Sequence, residues 1–565
     1  MSGSSKLDLV LLWHMHQPDF RDRATGEYAQ PWVYLHAIKD YSDMAAHLEN
    51  HPKVRAVVNF TPVLLDQLED YADQFASGRF RDPLLRLLAH PDLSRLDAAE
   101  RSLVLRCCFK ASHHKMIEPY PAYRRLWDFY TLTQQPGAAG ESYLSAQYLG
   151  DLLTWYHLAW VGETVRRRDQ TVPQLLAKAQ NFSHADRMQL VELIGRESST
   201  VVSRYSKLAA LGQVELTTSP ASHPIGPLLI SFEAARETVP GAQLPKSSHY
   251  PGGRMRASAH IAAGRDSHIR RFGQAPRGMW PAEGAISQVF VDLLADGGCE
   301  WIASGEGVLL NSLRKHHAPI PERHKFLYRP YRLGDGAKPV TCFFRDDRLS
   351  DLIGFEYCNW HGKDAAAHFI GELKGIMRQA DTSERRVVSV ILDGENAWEY
   401  YPYNGYFFLD ELYGALESHP EIETTTFARL LDEQRHVEPM PALTAGSWVY
   451  GNLATWIGAP EKNRAWDLLC AAKQSFDLVA ASGRLSDREL AEAIGQLADC
   501  EASDWFWWFG DYNPSESVLA FDRLYRHKLG NLYRLLKLPV PAELDTPVSQ
   551  GGGEAELGGA MRRAS

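Results

Sequence analysis

Two acidic residues carry most of the chemistry that this sequence offers. Glu283 stands in Gly278-Met279-Trp280-Pro281-Ala282-Glu283-Gly284, shortly before a helical pattern that begins near Ile286. A carboxylate placed there occupies a strand-to-helix junction. It reads either as a functional group or as a helix-terminal glutamate, stabilised by the dipole at about 0.3–1 kcal/mol. Asp393 is the first polar residue after the apolar run 387–392. It opens the stretch Asp393-Gly394-Glu395-Asn396-Ala397-Trp398-Glu399. Three acids in seven residues repel one another, which raises the proton affinity of at least one of them. The alternative reading of this stretch is a solvated acidic loop.

Other polar clusters follow strand-like runs. Trp13-His14-Met15-His16-Gln17-Pro18 comes directly after the first. Alternate residues on a strand share a face, so His14 and His16 can point together, and with Gln17 they can hydrogen-bond a substrate. Val214-Glu215-Leu216-Thr217-Thr218 runs into a proline-bounded turn that carries His223. Arg345-Asp346-Asp347-Arg348 either shapes a site through ion pairs or is an ordinary charged loop. The run Asp504-Trp505-Phe506-Trp507-Trp508-Phe509 is dense enough for a sugar platform, but it reads better as packing between regions of the chain.

These clusters need elements to position them. The runs 7–13, 54–60, 214–218, 300–303, 339–344 and 386–392 are continuously apolar or β-branched, as suits parallel strands covered on both faces. Helical patterns at 36–50, 143–163, 184–211, 285–296, 364–379 and 406–418 lie between them. Strands alternating with helices predict an α/β fold with a parallel sheet or barrel, in which ligands sit at the carboxyl ends of the strands. The texture changes after about residue 436. The stretches 461–482, 486–500 and 515–537 read as helices with no convincing strand between them. The organisation predicted is a catalytic barrel with helical insertions over 7–436, a helical region over 437–545 that adds to the cleft, and a disordered Gly/Ala-rich tail over 549–565.

Composition narrows the partners. A net charge of −10 argues against a polyanion such as nucleic acid, and a neutral polymer such as a glycan is compatible with it. The seven cysteines are odd in number and lack C-x-x-C spacing, so a reducing, cytoplasmic setting is expected. The first residues carry no apolar signal segment and no run of 18 apolar residues exists, so neither export nor membrane spanning is expected.

The motifs together resemble glycoside hydrolase family 57. His14-Met15-His16-Gln17-Pro18 is similar to the family's H-x-H-Q-P opening, and Gly212 to His223 resembles its second conserved block. Glu283 falls where the family carries its nucleophile, and Asp393 where it carries its general acid/base. Ser447-Trp448-Val449-Tyr450-Gly451-Asn452 with Trp456-Ile457-Gly458 is similar to the fifth block. The blocks occur in the family's order across most of residues 7–510.

The resemblance implies an incomplete (β/α)7 barrel followed by helices, with no cofactor and no required metal. It implies catalytic roles for Glu283 and Asp393. Substrate contacts are expected from His14, His16, Gln17, His223, Glu395, Trp398, Trp448 and Trp456, with Trp280 as a stacking surface. The D-G-E-N-x-W-E wording is similar to the α-amylase and amylopullulanase branches. The expected activity is therefore retaining cleavage of α-1,4-glucans, with 4-α-glucanotransferase or amylopullulanase activity as the alternative on the same site. Glu395 or Glu399 is expected to keep Asp393 protonated. Two rivals remain. One is a metal-dependent hydrolase with His14, His16, His223 and Asp393 as ligands. The other is a non-catalytic glycan-binding protein on the same fold.

Overall fold

In the computed structural model, residues 6–134, 140–315, 320–334, 338–379, 385–440 and 442–553 are described. Ten strands occur among them: β1 (Leu7–Met15), β2 (Ala56–Phe60), β3 (Val214–Thr217), β4 (Gly278–Met279), β5 (Trp301–Ser304), β6 (Tyr331–Leu333), β7 (Val340–Phe344), β8 (Arg386–Asp393), β9 (Ile422–Thr425) and β10 (Glu438–Pro439). β1 pairs with β8 along one edge. Its other edge pairs with β9 over residues 7–10 and with β2 over residues 12–15, all in parallel. β2 continues to β3, and β4, β5 and β7 form a second parallel row.

Single parallel bridges, Thr218 to Met279 and Arg345 to Ser389, join the two rows into a ring of β1, β2, β3, β4, β5, β7 and β8. This is the incomplete (β/α)7 barrel that the motifs imply, thinly closed at two seams. The three further strands are short or polar. That is why the apolar patterning passes over β6, which is antiparallel to β7, and over β9 and β10.

The period of two along each strand decides what faces the barrel axis. Val10 and Leu12 of β1, Val57 of β2, Trp301 and Ala303 of β5, Phe343 of β7, and Val387 and Ile391 of β8 pack together inside. Phe427 and Leu430 of the helix Phe427–Asp432 plug the lower end, with Phe427 stacked on Phe343 at 4.2 Å. The residues of opposite parity on β1, from Leu7 to Met15, pack against the surrounding helices. At the upper end the inward parity continues into His14 and His16, Asn59 and Thr61, Arg345, and Asp393. The register that fills the core with aliphatic side chains therefore delivers the polar set to its mouth.

Several helices match the patterning closely, among them Ala146–Trp160, His184–Ala210, Gly362–Arg378 and Tyr406–Ser418. The pattern read at 36–50 begins earlier, at Trp32, and contains a π-turn at Ala37–Tyr41. Pro62–Ser77, Pro83–Leu88 and Pro121–Thr133 escape the patterning, although each starts with proline in its first turn. The C-terminal helices are Pro460–Ala481, Asp487–Cys500, Ser503–Trp508 and Ser515–Leu535.

The predicted tail is held at its start. The amides of Val548 and Ser549 donate to Asp522, and those of Gly552 and Gly553 donate to the carbonyl of Asn513. The rest of it lies outside the described residues. No described helix is long and apolar enough to cross a membrane.

Candidate active site

The register of β1 against β8 sets His14 beside Asp393. The chain then turns tightly, and the Gly394 amide donates to the His14 carbonyl at 2.7 Å. A Cβ on Gly394 would stand 2.1 Å from the Met15 sulfur, so the turn packs this closely on β1 with Met15 in place because residue 394 has no side chain. Asn396 reaches back from this turn, and its Nδ2 donates to Asp393 Oδ2 at 2.7 Å. Burial pushes the Asp393 carboxyl above the usual carboxylate range, while Asn396 and the charges of His16 and Arg345 pull the other way.

Glu283 lies in a one-turn 3-10 segment with φ 58 and ψ 24, in the left-handed region. Ser222 and His223 share that conformation, at φ 58 and φ 57. Such residues cost about 1–3 kcal/mol each and persist only where the surroundings hold them. Here the clamp is Trp448, whose backbone amide donates to the Glu283 carbonyl at 3.1 Å and whose Nε1 donates to Oε2 at 3.0 Å. Burial first, then the negative charges of Asp393 and Asp504, push the Glu283 carboxyl up to about 8, against the lowering effect of the Trp448 donor.

The histidines form a stack. The ring centroids of His16 and His223 are 3.9 Å apart, and those of His14 and His223 5.0 Å apart. Burial holds His14 down to about 3, so its ring is neutral. Its Nδ1 lies 2.7 Å from Asn59 Oδ1, an acceptor, so Nδ1 carries the proton and Nε2 the lone pair. His16 spends both ring nitrogens on the protein, Nδ1 with Thr61 Oγ1 at 3.1 Å and Nε2 with Asp504 Oδ1 at 2.9 Å. Glu395 Oε1 accepts from the His16 amide at 3.1 Å and from Gln17 Nε2 at 3.3 Å.

A cleft of about 510 Å³ brings together His14, His16, Gln17, Glu283, Asp393, Glu395 and Trp448. Arg345 also lines it. Its guanidinium lies over Trp448 at 5.5 Å, and Asp347 and Asp351 hold it through ion pairs at 2.7 and 3.0 Å. Of the charged cluster at 345–348, Arg345 and Asp347 therefore serve the cleft, while Asp346 pairs with Arg323 and Arg348 with Glu372.

The structure corrects several expectations. Trp280 is fully buried in the barrel interior, edge-on to Trp448 at 5.2 Å, so it supports that residue instead of offering a stacking face. Trp398 is buried and donates its Nε1 to the Gly394 carbonyl at 2.8 Å, bracing the turn from behind. Trp456 is buried against Trp507 and does not line the cleft. His223 is buried behind His14 and His16, with its Nδ1 3.0 Å from Ser503 Oγ and 4.0 Å from Glu283 Oε1. Glu395 is not what raises Asp393. Burial and the Asp393 charge push Glu395 itself far up, and a neutral carboxyl exerts little field.

The aromatic run at 504–509 divides. Trp505 and Phe506 pack inward, Phe506 stacking on Trp466 at 4.2 Å, while Asp504, Trp507 and Trp508 line the cleft. Trp32, Trp160, Phe355 and Tyr400 also line it, and no local motif marks them.

His16, His223 and Asp504 each place a ligand-type atom within 4.8 Å of the others. The two rings are stacked with planes only 26° apart.

An α/β barrel with a buried carboxyl pair in an aromatic-lined cleft at its strand ends is the build of a carbohydrate-active enzyme. The model of glycosyl hydrolase family 57 matches residues 10–441, and the chain belongs to that family. No curated protein matches the chain in sequence. Solved structures share the fold. A GH57-type branching enzyme from Pyrococcus horikoshii is 16% identical with a TM-score of 0.57, over 94% of this chain and 89% of that one. The α-amylase AmyC from Thermotoga maritima is 13% identical with a TM-score of 0.56, over 94% and 93%. A 4-α-glucanotransferase from Thermococcus litoralis is 14% identical with a TM-score of 0.51, over 94% of this chain and 60% of that one.

Proposed function

We propose that this protein is a retaining, α-glucan-active enzyme in which Glu283 is the nucleophile and Asp393 the general acid/base. The observation that carries the reading is the convergence of these two carboxyls, remote in sequence, on one cleft. There the charge of Asp393 raises the proton affinity of Glu283. Two buried carboxyls that feel each other hold a single proton over a wide pH range.

Burial and the Asp393 charge favour that proton on Glu283, yet the reaction requires it on Asp393. Positive charge developing at the anomeric carbon favours the Glu283 carboxylate, and the Trp448 donor is already aimed at it. Glu283 attacks the anomeric carbon as the bond to the leaving sugar breaks, and Asp393 gives its proton to the departing oxygen. A water or an acceptor hydroxyl then loses a proton to Asp393 and displaces Glu283, so two inversions leave the configuration unchanged. His14 Nε2 is an acceptor for a sugar hydroxyl, and Trp448, Trp507 and Trp508 are aromatic surfaces for sugar rings.

Within this reading the substrate is an α-1,4-glucan and the activity amylase-like. The Asp393-Gly394-Glu395-Asn396-Ala397-Trp398-Glu399 wording supports this, as do fold relatives described as α-amylase, branching enzyme and 4-α-glucanotransferase. The aromatic wall also favours a second reading, transfer to a sugar acceptor held in place of water. The odd number of cysteines, seven, without C-x-x-C spacing supports a cytoplasmic setting.

Incubation with amylose, glycogen, pullulan and maltooligosaccharides, followed by chromatography and NMR of the anomers, tests the proposal. Hydrolysis raises reducing ends and transfer makes products longer than the substrate. Retained α-anomers are expected in both cases. Glu283→Gln is expected to lower turnover on the order of 1000-fold or more while keeping the fold. Turnover near wild type in that variant overturns the assignment.

A further inference from the structure

Asp504 belongs to none of the motifs that mark the barrel, and it lies beyond the span matched by the family model. It enters the cleft on the short helix Ser503–Trp508, and contacts at Ser503 and at Glu501 hold this helix in place. The Ser503 amide donates to the His223 carbonyl at 2.9 Å, and Ser503 Oγ meets His223 Nδ1 at 3.0 Å. Just before the helix, the buried Glu501 is gripped by Tyr250 at 2.5 Å and His260 at 2.6 Å, and by Arg256. This network fixes the approach of the helical region to the barrel mouth.

Asp504 then divides its work. Oδ1 meets His16 Nε2 at 2.9 Å. Oδ2 is buried and has no hydrogen-bond partner among the described residues. The side chain as a whole is 12% exposed and lines the cleft, so a small turn of the carboxylate carries the unpaired oxygen to the cleft, where a sugar hydroxyl can donate to it. Asp504 also stands close enough to Glu283 for its charge to act there.

We propose that Asp504 is a third working carboxylate of this site. Through Oδ1 it locks His16, and through Oδ2 it accepts a hydroxyl of the sugar held between Glu283 and Asp393. The inference rests on the glucan reading above. A fixed negative charge beside the reacting sugar also stabilises the positive charge that develops there. The charged and titratable groups lining the same cleft are His14 at the end of β1 and His16 just after it, Glu283 after β4, Arg345 after β7, Asp393 at the end of β8 with Glu395, Glu399 and Tyr400 beyond it, and, further along the cleft, His36, Lys110 and Glu516, while His223 lies behind the two histidines 4.0 Å from Glu283.

The test uses the full chain. Maltoheptaose binding is measured by calorimetry in the Glu283→Gln background, and the pH profile of kcat/KM in the otherwise native enzyme. Asp504→Asn is expected to weaken binding at least tenfold and to lower kcat. It should also move the alkaline limb of kcat/KM to lower pH, because removing the charge loosens the Glu283 proton. Unchanged affinity, or an alkaline limb that stays in place, overturns the proposal. If Asp504→Asn does not fold, Asp504→Glu decides. It keeps the charge and hence the alkaline limb but misplaces the oxygen, so kcat falls, and wild-type kcat refutes the contact. Neither binding nor turnover of maltoheptaose by the native enzyme would instead remove the glucan reading itself.

Discussion

Trp448 holds Glu283 twice, donating its backbone amide to the Glu283 carbonyl at 3.1 Å and its indole Nε1 to Oε2 at 3.0 Å. The first bond holds a left-handed turn that the backbone would otherwise leave, and the second aims the carboxylate. One residue thus controls both where Glu283 stands and how it points.

Trp448→Phe keeps the ring and removes the indole donor. The donor stabilises the Glu283 carboxylate, so its loss tightens the proton. The alkaline limb of kcat/KM is expected to move upward, with kcat lower by about 10- to 100-fold. This shift is opposite in sign to that expected of Asp504→Asn, and pH profiles of the two variants side by side separate the effects. A limb that does not move means that Nε1 does not serve the carboxylate.

Under the proposed mechanism the pair of acids sets the working pH. The active form carries one proton on Glu283 and Asp393 together. As pH rises through about 8 that last proton leaves and general-acid action stops, so kcat/KM falls there. The acid limb lies above the ordinary aspartate range because burial raises Asp393. Asn396→Ala removes the donor that favours the Asp393 carboxylate and should move the acid limb further up. A profile whose limbs both lie below pH 6 contradicts this account.

Burial of Glu283 also weighs on stability. Its folded pKa of about 8 lies above the ordinary 4.5, so folding takes up a proton between these values. The stability it contributes is fully present below pH 4.5 and is lost as pH rises through about 8. Glu283→Gln removes this dependence. The variant is expected to be more stable than wild type at pH 8, by about 1–3 kcal/mol, with the gap closing toward pH 4.5. Thermal melts at the two pH values check it, and a gap that widens on acidification refutes it.

Gly394→Ala puts a methyl group where the Met15 sulfur stands, 2.1 Å from the new Cβ. The turn has to open, which costs about 1–3 kcal/mol and shifts Asp393. Denaturant melts and turnover on amylose are expected to fall together. Full activity in a normally stable variant indicates that Met15 yields freely.

Much of the barrel is legible along the chain. β1, β2, β7 and β8 are long, apolar and covered on both faces, so each announces itself as a buried strand and its first polar residue marks the barrel mouth. Glu283, Asp393, His14, His16 and Gln17 all reach the cleft expected of them. The three misread tryptophans share a cause. Trp280, Trp398 and Trp456 stand in the right motifs, but a tryptophan beside a site is read from sequence alike whether its ring faces the sugar or braces the residue that does.

Local order alone thus determined the class of fold and the parity that turns polar side chains to the barrel mouth, because periodicity and chain order are properties of neighbours along the backbone. Glu283 and Asp393 stand out from other acids only by the resemblance of their motifs to those of the family. Only the tertiary structure decided that Asp504, Trp507 and Trp508 join the cleft, that the imidazoles of His16 and His223 stack, and that Trp448 clamps Glu283. Each of these joins segments far apart in the chain. Such contacts are set by how helices pack across the barrel mouth, and no window of sequence holds both partners.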